Sequence, residues 1–343
     1  MPHGAFFIKP MGEIMAEIHG DDTDNVLTDT KGNELIFGGL GADTITNNIG
    51  ADTLYGDDGR DVIITNGFAA FIIGGADGDN LTALGRWNDV YGGFGNDMIF
   101  ITNASVADGE EGEDTIIATD DCHVSGGDDN DYLVGGSRIH GEAGDDTIIG
   151  SRISNIISTG SGNDLVYGGR GNDLIDFKGD NDSINAGFGN DTVYGGLGND
   201  TVHGGDGNDI YNGSYGDDLI YGGEGKDFII GGAGDDLLIG GLGADRMKGG
   251  SGADVFIFES AADTGLGKNQ DRIIDFVTGV DKINLASMGS GLHFVGSSAF
   301  SGNAGEVRFE ASNTTVQIDL DGGGIDVSIK LFTLLFVETD LIL

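Results

Sequence analysis

A chain of 343 residues has room for about two or three ordinary domains, but 66 glycines, 58 acidic and only 16 basic side chains leave a formal net charge of -42. That charge excludes nucleic acid, whose phosphates need clustered Lys and Arg, and it disfavours anionic lipid. With 38% hydrophobic residues recurring at fixed intervals, a packed fold is expected rather than a disordered polyanion, provided that bound cations offset the carboxylates.

In chain order, residues 1–19 come first and read as a tail or cap. They show no positively charged start followed by an apolar run, so no Sec signal is expected there. No stretch approaches the roughly 20 apolar residues of a membrane span. Cys122 is the one cysteine, so no intrachain disulfide framework exists.

Residues 20–257 are organised by the nonapeptide G-G-x-G-x-D-x-U-x, where U is a large apolar residue. Nine copies match its first six positions in full, beginning at Gly38, Gly92, Gly168, Gly195, Gly204, Gly222, Gly231, Gly240 and Gly249. Thirteen nine-residue units run from Gly141 to Ile257 without a slip, and nine weaker ones run from Gly20 to Phe100. Between Ile101 and His140 the units measure eight, nine, eight, nine and six residues. The glycines allow tight turns with exposed carbonyls, and the x-U-x triplet suits a short strand with U inward. Ile45, Ile99, Ile175, Val193, Val202, Ile220 and Leu238 take that inward place.

One turn reverses the chain and two restore its direction, so units about eighteen residues apart stack. Carbonyls and an Asp from one turn then face those of the next. Such a pair suits Ca²⁺, which takes about 6–8 oxygen ligands in tolerant geometry. Zn²⁺ would call for His or Cys at repeating positions, and neither is there. Counting alternate units separates two edges. The first carries Asp43, Asp61, Asp79, Asp97, Asp114, Asp131, Asp146, Asp164, Asp182, Asp200, Asp218, Asp236 and Asp254 without a break. The second reads Glu34, Asp52, Ala70 and Asn88, loses its acidic residue, and resumes with Asn155, Asp173, Asp191, Asp209, Asp227 and Asp245. A calcium row along the whole first edge and along the C-terminal part of the second is expected, with on the order of sixteen ions at one per stacked pair. Metal binding should then supply folding free energy.

The repeats GGLGND at Gly195–Asp200 and GGDGND at Gly204–Asp209 resemble the RTX (repeats-in-toxin, hemolysin-type calcium-binding) family. The resemblance implies an all-β chain folded as a right-handed parallel β-roll. It also implies export through type I secretion machinery and an extracellular location, with folding on calcium outside the cell.

Residues 258–343 abandon the repeat for short amphipathic strands, expected to form a C-terminal β cap over the open end of the roll. Asp275-Phe276, Gly279–Ile283, Phe300–Gly302 and Ala304–Glu306 are similar to the C-terminal region of serralysin-type proteases. The terminal Asp340–Leu343 resembles the acidic-then-apolar end of type I substrates. The DGGGID stretch at Asp321–Asp326 reads as a hairpin turn or a further calcium site.

No H-E-x-x-H or G-x-S-x-G motif is present. The expected function is therefore a non-enzymatic, secreted calcium-binding protein with an adhesion, matrix or surface role. The alternative is a polysaccharide-binding or polysaccharide-modifying protein, epimerase-like or lyase-like. It would use Arg86, Trp87, Asp120, Asp121, Cys122, His123, Arg138, His140 and Arg152 along the degenerate edge, with extracellular polysaccharide or the cell surface as partner.

Overall fold

Every nonapeptide lays down one short strand, and successive strands alternate between two facing parallel sheets. The computed structural model describes residues 15–333 and 335–343. The start of the expected N-terminal tail or cap, residues 1–14, lies outside the described residues. One sheet stacks Ala16–His19, Glu34–Leu40, Thr53–Asp58, Phe71–Ala76 and their successors, 19 described strands in all, and the other, starting at Val26–Thr28 and Thr44–Asn47, has 16. Leu35 lies opposite Thr53 and Thr44 opposite Val62, the two-unit step of 18 residues. The architecture is the expected β-roll.

The core is two columns of single side chains. Ile36, Leu54, Ile72, Val90, Ala107 and Val124 begin one; Ile45, Ile63, Leu81, Ile99, Ile116 and Leu133 begin the other, all at most 1% exposed. The inward residues read from the sequence, Ile175, Val193, Val202, Ile220 and Leu238 among them, are all buried. A strand has a period of two, so a slip of one residue within it would turn the column outward. The irregular units avoid this by shortening turns. Met98 faces Thr115 after 17 residues and Tyr132 faces Thr147 after 15, yet Ile99, Ile116, Leu133 and Ile148 stay in column.

Glycine is needed in the turns for two separate reasons. At positions two and four the backbone is left-handed, as at Gly39 and Gly41, both at φ 108°. Where the repeat lapses, Asp57, Glu110, Glu142 and Ser214 hold position two at φ 72–83°, and Asp77, Asp129 and Asp180 hold position four at φ 71–77°. At position one φ is ordinary, but an added Cβ on Gly38 would lie 2.5 Å from Asp43 Oδ2. Phe177 breaks that rule. It is 1% exposed at position one, the preceding strand stops at Asp176, and pairing there is confined to Leu174–Asp176.

Both ladders continue beyond Ile257. Arg272–Ile273 pairs parallel with Arg246–Ser251, and Lys282–Asn284 with Val255–Ile257. Glu306–Glu310, Thr315–Asp319 and Val327–Leu331 form an antiparallel meander whose last strand adds in parallel to Arg272–Ile273. Leu341–Ile342 covers Lys282–Asn284. Phe256, Phe276, Phe294, Phe309 and Phe336 pack ring to ring beneath, with centroids 5.4–6.2 Å apart.

Gly198 sits at φ 117°, and an added Cβ would strike the Asp180 carbonyl, whereas Gly179 has ordinary φ and nothing within 4 Å. Gly198→Ala should cost about 1–3 kcal/mol and Gly179→Ala under about 0.5 kcal/mol. Thermal unfolding in saturating calcium reads the difference; equal shifts would contradict the turn geometry.

Candidate metal centre

The x-U-x strand is preceded by the position-six Asp, whose side chain therefore turns into the roll beside the position-one glycine. On the first edge this produces a continuous chain of hydrogen bonds. The Asp43 amide donates to Asp61 Oδ1 at 2.7 Å, Asp61 to Asp79 at 2.7 Å, and so on to Asp236, which donates to Asp254 at 3.1 Å. The shortened turns do not interrupt it: Asp97, Asp114 and Asp131 donate to Asp114, Asp131 and Asp146 at 2.7–2.9 Å. On the second edge the Asn155 amide donates to Asp173, and the chain continues through Asp191, Asp209 and Asp227 to Asp245 at 2.7–2.9 Å.

Each of these carboxylates is left with one oxygen that nothing answers. All eighteen predicted ligands, from Asp43 to Asp254, are at most 3% exposed, and Oδ2 of every one is buried without a hydrogen-bond partner. Stranded polar atoms of this kind are rare in folded proteins. Among the described residues no basic side chain compensates them. The ion pairs among the described residues are His19–Glu17, Lys178–Asp176 and Arg308–Glu310, none of which reaches either row. Burial, followed by repulsion along the row, pushes Asp79, Asp131 and Asp182 up to about 8. The same burial lifts Asp97, Asp146, Asp173, Asp218, Asp227 and Asp236 to about 7. Aligned buried carboxylate oxygens facing glycine-turn carbonyls, with no cationic side chain among them, fit a hard, oxygen-seeking divalent ion.

Both rows reach further than the repeat motif. Asp245 donates to Asp271 Oδ1 at 2.8 Å and Asp254 to Asp281 Oδ1 at 3.3 Å; Asp271 Oδ2 is buried and unpartnered. These residues were missed because their turns have lost the glycines. The surviving signal is the D-x-U triplet of Asp271-Arg272-Ile273 and Asp281-Lys282-Ile283. Asp319, Asp321 and Asp326 bring carboxylate oxygens within 4.8 Å of one another. Their oxygens serve their own hairpin: Asp319 accepts from the Gly322 and Gly324 amides, Asp321 from Gly323, and Asp326 from Leu320.

The degenerate edge is closed by other means. Ala70 donates to Asn88 Oδ1 at 2.9 Å and Asn88 to Ser105 Oγ at 3.1 Å, so neutral acceptors carry the ladder. Inward side chains at position one, Thr65, Ala83 and Ile101, are buried where the other edge has glycine. The expectation that the polysaccharide candidates share one edge is corrected. Arg86, Trp87, Asp120, Asp121 and Arg152 lie in exposed turns, Cys122 is fully buried, and His123, Arg138 and His140 stand on strands His123–Asp128 and Arg138–Ala143. The last three flank the inward Val124 and Ile139 on the sheet, where His123 faces Arg138 and Ser125 faces His140. Burial, then Arg138 and His140, hold the His123 imidazole below its usual range. An open groove of about 380 Å³ beside them is lined by Asp108, Glu110, Glu111, Asp128 and Glu142.

The comparisons with known proteins bear on the turns rather than on this face. The family model for the RTX calcium-binding nonapeptide repeat matches residues 19–54, 48–69, 123–137, 140–175, 153–184, 178–211, 203–238 and 230–264, together more than half of the chain. No curated protein matches. Among solved structures, the AlgE6R3 subunit of the Azotobacter vinelandii mannuronan C5-epimerase is similar at 24% identity, over 48% of this chain and 78% of that one. Its TM-score of 0.21 is too low to carry an argument. The serralysin-like reading of 258–343 has no counterpart in these matches.

A carboxyl whose folded pKa exceeds its unfolded value favours folding while protonated. In calcium-stripped protein that contribution is present below the unfolded value of 3.8 and lost as pH rises through about 6 to 8. Calcium-stripped protein should therefore keep more β signal by circular dichroism at pH 4 than at pH 8. Equal signal at both would show that the rows are not the buried acids described.

Proposed function

The chain belongs to the RTX calcium-binding nonapeptide repeat family, and on that premise we propose that it is an exported, non-enzymatic protein whose roll folds on calcium outside the cell. The observation that carries this reading is the double row of buried Oδ2 atoms without partners. The residues that would hold the ions are Asp43 to Asp254 on the first edge and Asp173 to Asp245 on the second, together with turn carbonyls. Bound ions would supply positive charge and oxygen coordination to those atoms.

The chain's own residues do the rest. Each Asp Oδ1 fixes the amide of the preceding turn, the glycines admit the carboxylate, and the apolar columns give the stacked turns one shared interior. Two columns of single side chains form a thin core, while ordering the backbone costs about 1–2 kcal/mol per residue. Without compensation, buried like charges add to that cost. Chains of this design should be extended where calcium is scarce and compact where it is plentiful, which suits passage through a type I channel and folding afterwards. With no catalytic motif in the sequence, an adhesion, matrix or surface role outside the cell is the function this reading assigns.

Circular dichroism during an EGTA titration tests the folding claim: the β signal should collapse, and a signal retained in full would defeat it. Equilibrium dialysis should count on the order of sixteen Ca²⁺; one or two would refute the rows. Asp200→Ala should raise the calcium concentration at the folding midpoint more than Asn88→Ala, because Asn88 stands on the edge where neutral side chains carry the ladder. Equal shifts would contradict the assignment of edges.

A further inference from the structure

We propose that the outer sheet face at the capped end carries an oxyanion site between Arg272 and Lys330, which takes a tetrahedral sulfate or phosphate group. The chain has 16 basic side chains against 58 acidic ones, yet four of the basic ones gather on this patch. Pairing of Phe228–Ala233, Arg246–Ser251, Arg272–Ile273 and Val327–Leu331 places Phe228, Arg246, Arg272 and Lys330 in one column. Lys248 shares the face with Arg246, because Met247 between them is buried.

The protein itself leaves these cations unanswered. Strands lie about 4.8 Å apart, and like charges directly opposite one another on neighbouring strands are destabilising. Among the described residues none of the four belongs to an ion pair. The acids around them are engaged elsewhere. Asp271 is buried and accepts from the Asp245 amide, and Asp275 accepts from the Gly249 and Gly250 amides. Glu310 is taken by Arg308 and Ser312, and Asp326 accepts from the Leu320 amide.

The column ends in a hollow of about 310 Å³ lined by Arg272, Lys330, Gln270, Asn313, Thr315 and Phe332. Its walls are held in place. Lys330 Nζ donates to the Asn313 carbonyl, which leaves two ammonium protons for a ligand. The Gln270 amide donates to the Gly267 carbonyl at 2.8 Å and accepts from the Lys330 backbone amide at 3.2 Å. Thr315, 3% exposed, donates to the Asn313 carbonyl at 3.2 Å. Arg246 is drawn aside over the Phe228 ring, 5.1 Å from its centroid, so Arg272 and Lys330 are left to serve the hollow. One arginine fork is enough for a planar carboxylate. A guanidinium from one strand and an ammonium from the next converge instead on an ion with more than two oxygens.

The site stands apart from the calcium rows, and its test is made with those rows filled. Equilibrium dialysis of radiolabelled sulfate against the full chain in saturating calcium, at constant ionic strength, measures binding directly. Circular dichroism first confirms that each variant is folded. The wild type should bind one sulfate; Arg272→Gln and Lys330→Gln should each weaken it about tenfold or more. Arg170→Gln, on a distant turn, should leave it unchanged. Unlabelled p-nitrophenyl sulfate should displace the label. A monoester that competes better than free sulfate assigns the group to a larger molecule, and one that competes less well assigns the inorganic ion. No bound sulfate at about 10 mM, acetate competing as well as sulfate, or equal losses in Arg170→Gln and Arg272→Gln would overturn the site.

Discussion

The position-six aspartate joins consecutive turns through one oxygen and strands the other. Oδ1 replaces water for an amide in the turn before, which fixes the spacing of the turns. Oδ2 is thereby carried into an interior with no basic group to meet it. Hydrogen bonding alone cannot remedy this, because the backbone donors nearby are already committed to the ladder. The roll's regularity and its demand for cations thus have a single source, repeated along both edges.

The degenerate edge shows a second solution within the same architecture. Where Ala70, Ala83 and Ile101 replace acid and glycine, the turn is filled with apolar atoms, and Asn88 and Ser105 supply neutral acceptors. Exchanging buried charges for well-packed apolar groups is commonly neutral or stabilising. From Ala70 to Ser105 this edge therefore lacks the buried acids of the other, and the molecule combines acid-lined and neutral seams over a common core. Phe177 is a sharper departure, since it puts an aromatic ring where the first edge otherwise has glycine or Thr159 and forfeits strand pairing to do so.

Most of the fold was legible because the nonapeptide encodes strand, inward residue and turn at fixed offsets. Ile45, Val202 and Leu238 could be placed from spacing alone. The limits were equally physical. Attention to position six hid position one, although a side chain there competes for the same interior space as the carboxylate. The importance of Thr65 and Phe177 follows only from seeing that Gly38 leaves no room for a Cβ beside Asp43. Asp271 and Asp281 escaped because loops of irregular length replace their glycine turns, so the period of eighteen vanishes while the D-x-U triplet survives. His123 and His140 were misplaced because whole units were assigned to an edge, although the residues flanking the inward Val124 and Ile139 belong to the sheet.

The two ladders of hydrogen bonds between turns point in opposite directions. The buried position-six amides donate to the carboxylate of the following turn, and the last of them, Asp245 and Asp254, are received by Asp271 and Asp281. At exposed position five, by contrast, the Asn163, Asp217, Asp235 and Ala253 amides donate back to the turn before. A turn added on the N-terminal side of an ordered stack finds its acceptor already in place. One added on the C-terminal side brings the buried acceptor with it and finds only the exposed position-five acceptor waiting. Growth in either direction therefore meets one set of waiting acceptors, the buried carboxylates toward the N-terminus and the solvent-exposed side chains toward the C-terminus.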